Sequence, residues 1–272
     1  MAQNKDIFLQ FNSLLEFSRH IAAGETQQAF VGDERSIAKS DYRTQFTGTE
    51  SYEEADRLLK DGDNVSFELL KKNGFETDAK KYNFGQRRKI TPAVVGFAPI
   101  VPNAIAGVPV AMQQIKMQQS KTKIVDVVLS ISYAGSIDKE DFANFAAKVL
   151  NGCLSLEKKG CRVNLYLFLG SSVYKNKKTY DKQNIISIIK VKDSKIALDP
   201  LSVAYPVINS SFLRRHILRL MEITPGLSRR FVGTYGSPIR DTKNYLPGQL
   251  KNALTFEYYN RADIEKTFAG VK

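Results

Sequence analysis

The segment from Lys123 to Ser171 constrains the fold of this chain more than any other stretch. Residues 124–131 form a short β-branched run with the composition of a strand buried on both faces. Between 142 and 154 the apolar residues recur at helical spacing, and Asp138 and Gly160 fit the start and stop of that helix. Residues 163–169 have the composition of a second strand. We therefore predict a β-α-β crossover within an α/β fold, in which helices flank a mainly parallel sheet.

Charge divides the 272 residues into two parts. Residues 1–79 hold 9 Lys and Arg against 15 Asp and Glu, whereas residues 80–272 hold 31 against 13, which accounts for the formal charge of +12. The hydrophobic content of 43% is sufficient for a sizeable core and argues against wholesale disorder. We predict an acidic helical N-terminal arm over 1–79 and a basic α/β domain over 80–272. The arm could dock on the body, or the body could face an anionic partner.

The N-terminal residues 5–23 place apolar side chains along one face of a predicted amphipathic helix. Such a helix either packs on the core of its own chain or anchors a partner protein or another copy of the chain. The candidate partner-binding residues are Phe8, Phe11 and Leu15.

Three stretches carry clustered cations. Residues 80–89 interleave five cations with Tyr82 and Phe84, a loop near 175–182 is rich in lysine, and a helix predicted over 209–222 has two arginines one turn apart. A solvated surface is the alternative to nucleic-acid binding. The candidate anion-binding residues are Arg87, Arg88, Lys89, Lys175, Lys177, Lys178, Arg215 and Arg219.

Residues 92–112 contain no charged side chain. Four prolines would break a membrane helix repeatedly, so we expect an extended, buried segment with turns and no membrane partner. The N-terminus lacks the pattern of a signal peptide, and Cys153 and Cys161 fit reduced core thiols.

The loop after the first predicted central strand resembles a ligand-binding loop of von Willebrand factor A domains. Those domains carry Asp-x-Ser-x-Ser, and the matching residues here are Val128, Ser130 and Ser132. The resemblance covers the β-α-β unit and implies a von Willebrand A-like or Rossmann-like core. Because valine replaces the carboxylate, it also implies a degenerate metal site, and we predict no metal or other cofactor. The candidate residues at this sheet edge are Ser130, Ser132, Gly135 and Ser136.

A longer resemblance spans residues 46–222. The order FTGTESYEEA, GFAPIVPNAIAGVPVAM, the β-α-β unit and FLRRHILRLMEI is similar to an uncharacterised family encoded by bacteriophages. This resemblance implies a product acting in a bacterial host cytoplasm or in the virion.

Signals for an enzyme are weak. Gly170-Ser171-Ser172 lacks the spacing of a phosphate-binding loop, and neither His20 nor His216 has a metal-ligand partner four residues away. Asp193-Ser194-Lys195 matches only half of a nuclease motif. We predict a non-enzymatic phage interaction or assembly protein built on a degenerate von Willebrand A-like domain. A nucleic-acid-binding protein that uses the basic surface is the alternative, and an enzyme is third.

Overall fold

Helices and strands alternate along the chain in a computed structural model, which describes residues 6–26, 38–39, 44–76, 86–119, 123–133, 137–176, 181–226, 236–260 and 263–271. The strands are β1 (Ile7–Phe11), β2 (Gln86–Ala93), β3 (Ala98–Pro99), β4 (Met112–Gln119), β5 (Ile124–Ser130), β6 (Arg162–Asn176), β7 (Asp181–Lys192), β8 (Ser237–Pro238) and β9 (Leu254–Phe256). The α-helices are α1 (Leu14–Ala23), α2 (Thr44–Thr47), α3 (Tyr52–Asp61), α4 (Asn64–Lys72), α5 (Val101–Ile105), α6 (Lys139–Lys158), α7 (Pro200–Ile208), α8 (Leu218–Ile223) and α9 (Ile264–Ala269). A π-helical stretch, Phe212–Ile217, leads directly into α8.

The central sheet has the strand order β1-β7-β6-β5-β9. The strand β5 runs parallel to both β6 and β9, and β1 runs parallel to β7, while β6 and β7 pair antiparallel. The short strand β8 pairs antiparallel with the end of β6. The prediction of a mainly parallel sheet flanked by helices is therefore confirmed.

The β-α-β unit forms as its periodicity predicts, from β5 through α6 to β6. The Asp138 carboxylate caps α6 by accepting a hydrogen bond from the Glu140 N–H at 2.7 Å. The apolar stripe of α6 is buried in the larger hydrophobic core, against one face of the sheet. After the helix, Gly160 adopts φ +87°, the left-handed conformation that favours glycine.

The N-terminal segment begins as a strand, so the predicted helix over 5–23 is wrong for residues 7–11. Phe11 and Phe17 join the larger core, and Ile7 and Leu9 pack against it from alternate strand positions. The helix α1 starts later, where the Ser13 hydroxyl accepts a hydrogen bond from the Glu16 N–H. The division of the chain at residue 79 stays a prediction, although β1 and α1 share a core with the central strands.

Residues 86–119 form a β-ribbon, which we define as β2, β3, α5 and β4 with their connections. The strands β2 and β4 pair antiparallel from Gln86 with Gln119 to Ala93 with Met112. Among the described residues, neither hydrophobic core includes a side chain of this ribbon. The prediction that 92–112 is buried is therefore wrong, because most of its large apolar side chains are exposed. No helix in the described ranges is long and apolar enough to cross a bilayer.

Candidate interaction surfaces

The β-ribbon exposes large apolar side chains along its length and at its tip. Near the tip Val95 is 75% exposed, Phe97 60% and Ile105 83%. On the paired strands Ile90 and Ile115 remain 59% and 46% exposed. A concentration of large exposed apolar side chains in one element is uncommon on monomeric proteins and is typical of interaction sites.

The tip of the ribbon is held by backbone hydrogen bonds and does not depend on a core. The Phe97 N–H donates to the Gln113 carbonyl at 2.8 Å, and the Ile100 N–H donates to the Ala111 carbonyl at 2.7 Å. In addition, the side-chain amide of Asn103 donates a hydrogen bond to the Val110 carbonyl at 3.0 Å. A Cβ at position 96 would lie 2.0 Å from the Gln113 carbonyl oxygen, so glycine is required for this close approach. The apolar side chains are thus displayed on a defined scaffold.

The paired strands of the ribbon have two different faces. Ile90 lies opposite Ile115, whereas Lys89 lies opposite Lys116 on the other face. Both lysines are exposed. Because like charges directly opposite each other are unfavourable, the lysine pair would be stabilised by an anion. The ribbon therefore places the isoleucine pair and the Arg88 position on one face, and the lysine pair and the Arg87 position on the other.

The loop after β5 resembles a metal-binding loop in sequence, but its two described serines, Ser130 and Ser132, form internal hydrogen bonds. The buried Ser132 hydroxyl accepts a hydrogen bond from the Gly170 N–H at 2.7 Å, and the Ser130 hydroxyl accepts one from the Ser132 N–H at 3.4 Å. Val128 is buried in the second hydrophobic core, on the opposite face of the sheet from α6. No cluster of His, Cys, Asp and Glu in the described ranges could hold a metal ion. Gly135 and Ser136 lie outside the described residues.

Arg215 and Arg219 do not reach the predicted nucleic-acid surface, because both are buried. Arg215 is fully buried, and its guanidinium donates to the Thr49 hydroxyl and carbonyl at 2.7 Å each and to the Ala38 carbonyl at 3.1 Å. Arg219 donates to the Gly24 carbonyl at 2.6 Å and lies 3.7 Å from the Glu222 carboxylate. These arginines hold the N-terminal part of the chain to the body.

The two sequence stretches 46–55 and 212–223 contact each other. The Arg214 guanidinium stacks on the Phe46 ring, 4.6 Å from its centroid, and donates to the Phe46 carbonyl at 2.6 Å. The buried Ser211 hydroxyl donates to the Thr47 carbonyl at 2.7 Å. These two stretches therefore form a packing interface between the N-terminal part of the chain and the body.

His216 lies in the same interface and is fully buried. Its Nδ1 is 3.1 Å from the Tyr205 hydroxyl, and its Nε2 is 3.9 Å from the Asp56 carboxylate, which is longer than a hydrogen bond. Burial lowers the pKa of His216, although Asp56 acts in the opposite direction. Interaction with His216, and then with Lys60, lowers the pKa of Asp56 to about 2. His216 and Tyr205 are fully buried and contact each other inside this packing interface, so the His-Tyr-Asp group fits a structural role.

The remaining predicted site residues are spread over the molecule. Phe8 and Leu15 are exposed as a partner surface requires, whereas Phe11 is buried in the core and is withdrawn from that prediction. Arg87, Arg88 and Lys89 lie on β2, and Lys175 lies near the end of β6. Lys177 and Lys178 fall outside the described residues.

An open groove lies between α6 and α9. One part of it has a volume of about 380 Å³ and is lined by Asp141, Lys148, Asp263 and Glu265. Its carboxylates are not paired with a nucleophile or a base in the described ranges, so the groove gives no indication of catalysis.

The exposed ribbon is the feature that sequence reasoning missed. Its signal was present in the 21 uncharged positions of 92–112 and in the basic residues on both sides. Missing charge more often accompanies burial, so the sequence predicts a buried segment there.

Comparisons with known proteins give a family but no activity. No curated protein and no solved structure matches the chain. A family model described as "Domain of unknown function (DUF7192)" matches residues 2–271. Since that match spans almost the whole sequence, the chain belongs to the DUF7192 family.

Proposed function

We propose that this protein is a non-enzymatic interaction or assembly protein encoded by a bacteriophage and built on a degenerate von Willebrand A-like domain. It acts in the host cytoplasm or in the virion. The observation that carries the proposal is the β-ribbon, which displays Val95, Phe97 and Ile105 to solvent on a hydrogen-bonded scaffold. The internal hydrogen bonds of Ser130 and Ser132 support this proposal, because they give the loop after β5 a structural role in place of metal binding.

The proposal is supported by the apolar side chains that the ribbon exposes. Large apolar side chains of the ribbon are 37–83% exposed, namely Ile90, Val94, Val95, Phe97, Val101, Ile105, Val108, Val110 and Ile115. Exposed apolar side chains concentrated in one element of a fold are typical of interaction sites. The ribbon therefore offers apolar side chains that a protein partner can cover.

The test follows the protein during infection. Phe97→Ser together with Ile105→Ser removes two large exposed side chains of the tip, and Val65→Ser on α4 is the control, since Val65 is 74% exposed but lies outside the ribbon. In fractionated lysates we expect the wild type and the control to sediment with particles or assembly intermediates. The tip variant should move to the soluble fraction and lower the particle yield.

The proposal fails if the wild-type protein sediments only as free protein, or if the tip variant supports the normal particle yield. Circular dichroism of the purified variants keeps a folding defect apart from a binding defect. The body should retain its thermal transition, because the ribbon contributes no side chain to either core in the described part of the chain.

A second candidate function is nucleic-acid binding through the face of the ribbon that holds the lysine pair. Residues 86–119 contain four cations and no carboxylate, and Lys89 lies directly opposite Lys116. A two-stranded β-ribbon fits the major groove of duplex DNA. If both lysines contact phosphates, Lys89→Gln with Lys116→Gln should reduce the slope of log K against log salt by roughly two units. Absence of binding by the wild type at low salt would rule this function out.

A further inference from the structure

The apolar tip of the β-ribbon, which we define as residues 92–112, is exposed on more than one side. Residues 104–110 are consecutive exposed positions, and none of them has a charged or hydrogen-bonding side chain. Val94 and Val95, which are neighbours in sequence, are also exposed, at 67% and 75%. Because consecutive side chains do not all point in one direction, a flat partner surface would cover only part of this tip.

The apolar tip offers almost no polar side chain with which to orient a protein partner. Asn103 is the only residue of 92–112 whose side chain contains nitrogen or oxygen. Its amide donates to the Val110 carbonyl within the tip itself. Specific protein interfaces have about one hydrogen bond per 100–200 Å². The tip therefore suits a partner that covers it from several sides without directional contacts, as lipid does.

Much of the backbone of the apolar tip is hydrogen-bonded internally, as an apolar environment requires. Hydrogen bonds of 2.7–3.2 Å to carbonyls of the ribbon are donated by the N–H groups of Phe97, Ile100, Ala104, Ala106, Gly107 and Val108. The four prolines of the tip have no N–H group that needs a partner. The residues that would break a membrane-spanning helix therefore reduce the cost of moving a ribbon tip out of water.

Cations lie beside the apolar tip, on the strands that connect it to the rest of the chain. Lys89 and Lys116 are exposed and lie opposite each other in β2 and β4. At a rise of about 3.4 Å per residue, they are about 14 Å from the Ala93–Met112 pair that ends the pairing. Residues 86–119 contain two further cations and no carboxylate. An apolar element with cations at its base complements a lipid surface that carries negative charge.

We infer that the apolar tip inserts into one leaflet of a membrane that contains anionic lipids, with Lys89 and Lys116 near the headgroups. This inference rests on the proposed interaction function and names a lipid surface as the partner of its ribbon. The expectation of no membrane partner considered only a spanning helix, and it does not apply to a tip that enters one leaflet. Interfacial elements lie about 5–10 Å into the boundary between headgroups and acyl chains. A lysine above that boundary can extend its ammonium group toward the lipid phosphates.

The first measurement is flotation of the full-length protein with vesicles made of equal parts phosphatidylglycerol and phosphatidylcholine. We expect the wild type to float with the vesicles. Phe97→Ser together with Ile105→Ser should bind at least tenfold more weakly, because two large apolar side chains are lost from the tip. The matched control is Val65→Ser, outside the ribbon at a residue that is 74% exposed, and it should bind like the wild type.

The lysine pair is tested with Lys89→Gln together with Lys116→Gln. Each lysine near an anionic surface strengthens binding about fivefold, so the affinity for the anionic vesicles should fall roughly 25-fold. On vesicles of phosphatidylcholine alone the same variant should bind like the wild type, because that lipid has no net charge.

The second measurement uses the absence of tryptophan from the sequence. Phe97→Trp adds one fluorophore to the apolar tip, and Val65→Trp adds one outside the ribbon. On the anionic vesicles, the emission of the Phe97→Trp protein should shift to the blue and be quenched by lipids that are brominated on their acyl chains. The emission of the Val65→Trp protein should change little. Both variants exchange one exposed apolar side chain for another, so they do not depend on the folding of the double serine variant.

Four outcomes would overturn the inference. They are no flotation of the wild type with anionic vesicles at low salt, wild-type affinity in the double serine variant, wild-type affinity of the lysine variant for anionic vesicles, and equal quenching in the two tryptophan variants. If the wild type does not float but the double serine variant still fails to sediment with particles, the proposed function stands with a protein partner. Flotation that depends on the tip, together with a normal particle yield from the double serine variant, would reject the proposed function alone.

Discussion

A buried ion pair between α6 and β7 gives the sharpest test of the fold energetics. The Lys192 ammonium lies 2.5 Å from the Glu157 carboxylate, and the two side chains are only 2% and 0% exposed. Lys192 also donates to the Val163 carbonyl at 2.7 Å. The pair therefore joins the crossover helix to the sheet in a site that water does not reach.

Replacing one partner of this pair should lower the free energy of unfolding, because the other partner keeps its charge in an apolar surrounding. Lys192→Met leaves the Glu157 carboxylate buried and uncompensated, which destabilises a protein by about 3–5 kcal/mol. For a chain of this size each kcal/mol lowers the melting temperature by roughly 2–4 °C, so we expect a decrease of about 6–20 °C. Glu157→Leu should have an effect of the same order.

Replacing both partners should restore most of the loss. In Glu157→Leu with Lys192→Met the two apolar side chains fill a similar volume, and buried pairs replaced in this way are often neutral or stabilising. The free energy of unfolding of the double variant should then lie within about 1 kcal/mol of the wild type. The sum of the two single effects would be several times larger.

The assay is urea unfolding of the four proteins, analysed as a double-mutant cycle. The matched control is Lys158→Met, which breaks the solvent-exposed pair that Lys158 forms with Glu76 at 2.7 Å and should have a much smaller effect. The reasoning is refuted if Lys192→Met costs no more than the control. It is also refuted if the double variant loses as much stability as the two single variants together.

Three further predictions concern other parts of the molecule. Burial lowers the pKa of His216 below the 6.5 of an unfolded histidine. The contribution of neutral His216 to the free energy of unfolding is therefore intact above pH 6.5 and is lost as pH falls from there toward the folded pKa. Urea unfolding measures the decrease in the free energy of unfolding between pH 7.5 and pH 5. This decrease should be smaller in His216→Gln than in the wild type or in the exposed control His20→Gln, and equal decreases would contradict the prediction. Gly152→Val should undock α9, since even a Cβ at position 152 would lie 2.1 Å from the Phe268 ring, and limited proteolysis should then cut near the C-terminus sooner than in Gly248→Ala, where a Cβ meets open space. Calorimetry with magnesium and manganese should show no saturable site at the Ser130 and Ser132 loop, and micromolar binding abolished by Ser130→Ala would overturn that expectation.

Local patterns predicted the local structure well. The helix α6 is indicated by its apolar stripe and its Asp138 cap. The helix α3 begins after Ser51, whose hydroxyl accepts a hydrogen bond from the Glu54 N–H in the Ser-x-x-Glu pattern of a capping box. Each of these signals depends on residues within a few positions of one another. The crossover between β5 and β6 followed from such signals alone.

Features that depend on distant partners were mispredicted. Arg215 and Arg219 are one turn apart in the helix predicted over 209–222, and this spacing does not distinguish an exposed pair from a buried one. The hydrogen-bond acceptors of Arg215 come from residues 38 and 49, more than 160 positions away. No short window contains that information.

The first strand was mispredicted because its pattern fits two periods. In IFLQF, alternate residues pack toward the core as strand spacing requires, yet Ile7, Phe8 and Phe11 also match helical spacing. Pairing with β7 decides between the two structures, and β7 is remote in sequence. The ribbon was missed for a related reason, since absent charge is equally compatible with a buried segment and with an exposed interface.

The pairing of β1 with β7 has a consequence for how the protein is made. The strand Ile7–Phe11 leaves the ribosome early, but its partner, Asp181–Lys192, is synthesised more than 170 residues later. At elongation rates of about 5–20 residues per second, an uncharged strand waits roughly 10–35 seconds for its place in the sheet. During that interval it is a natural binding site for a chaperone, and completion of the sheet is expected to be a late step of folding.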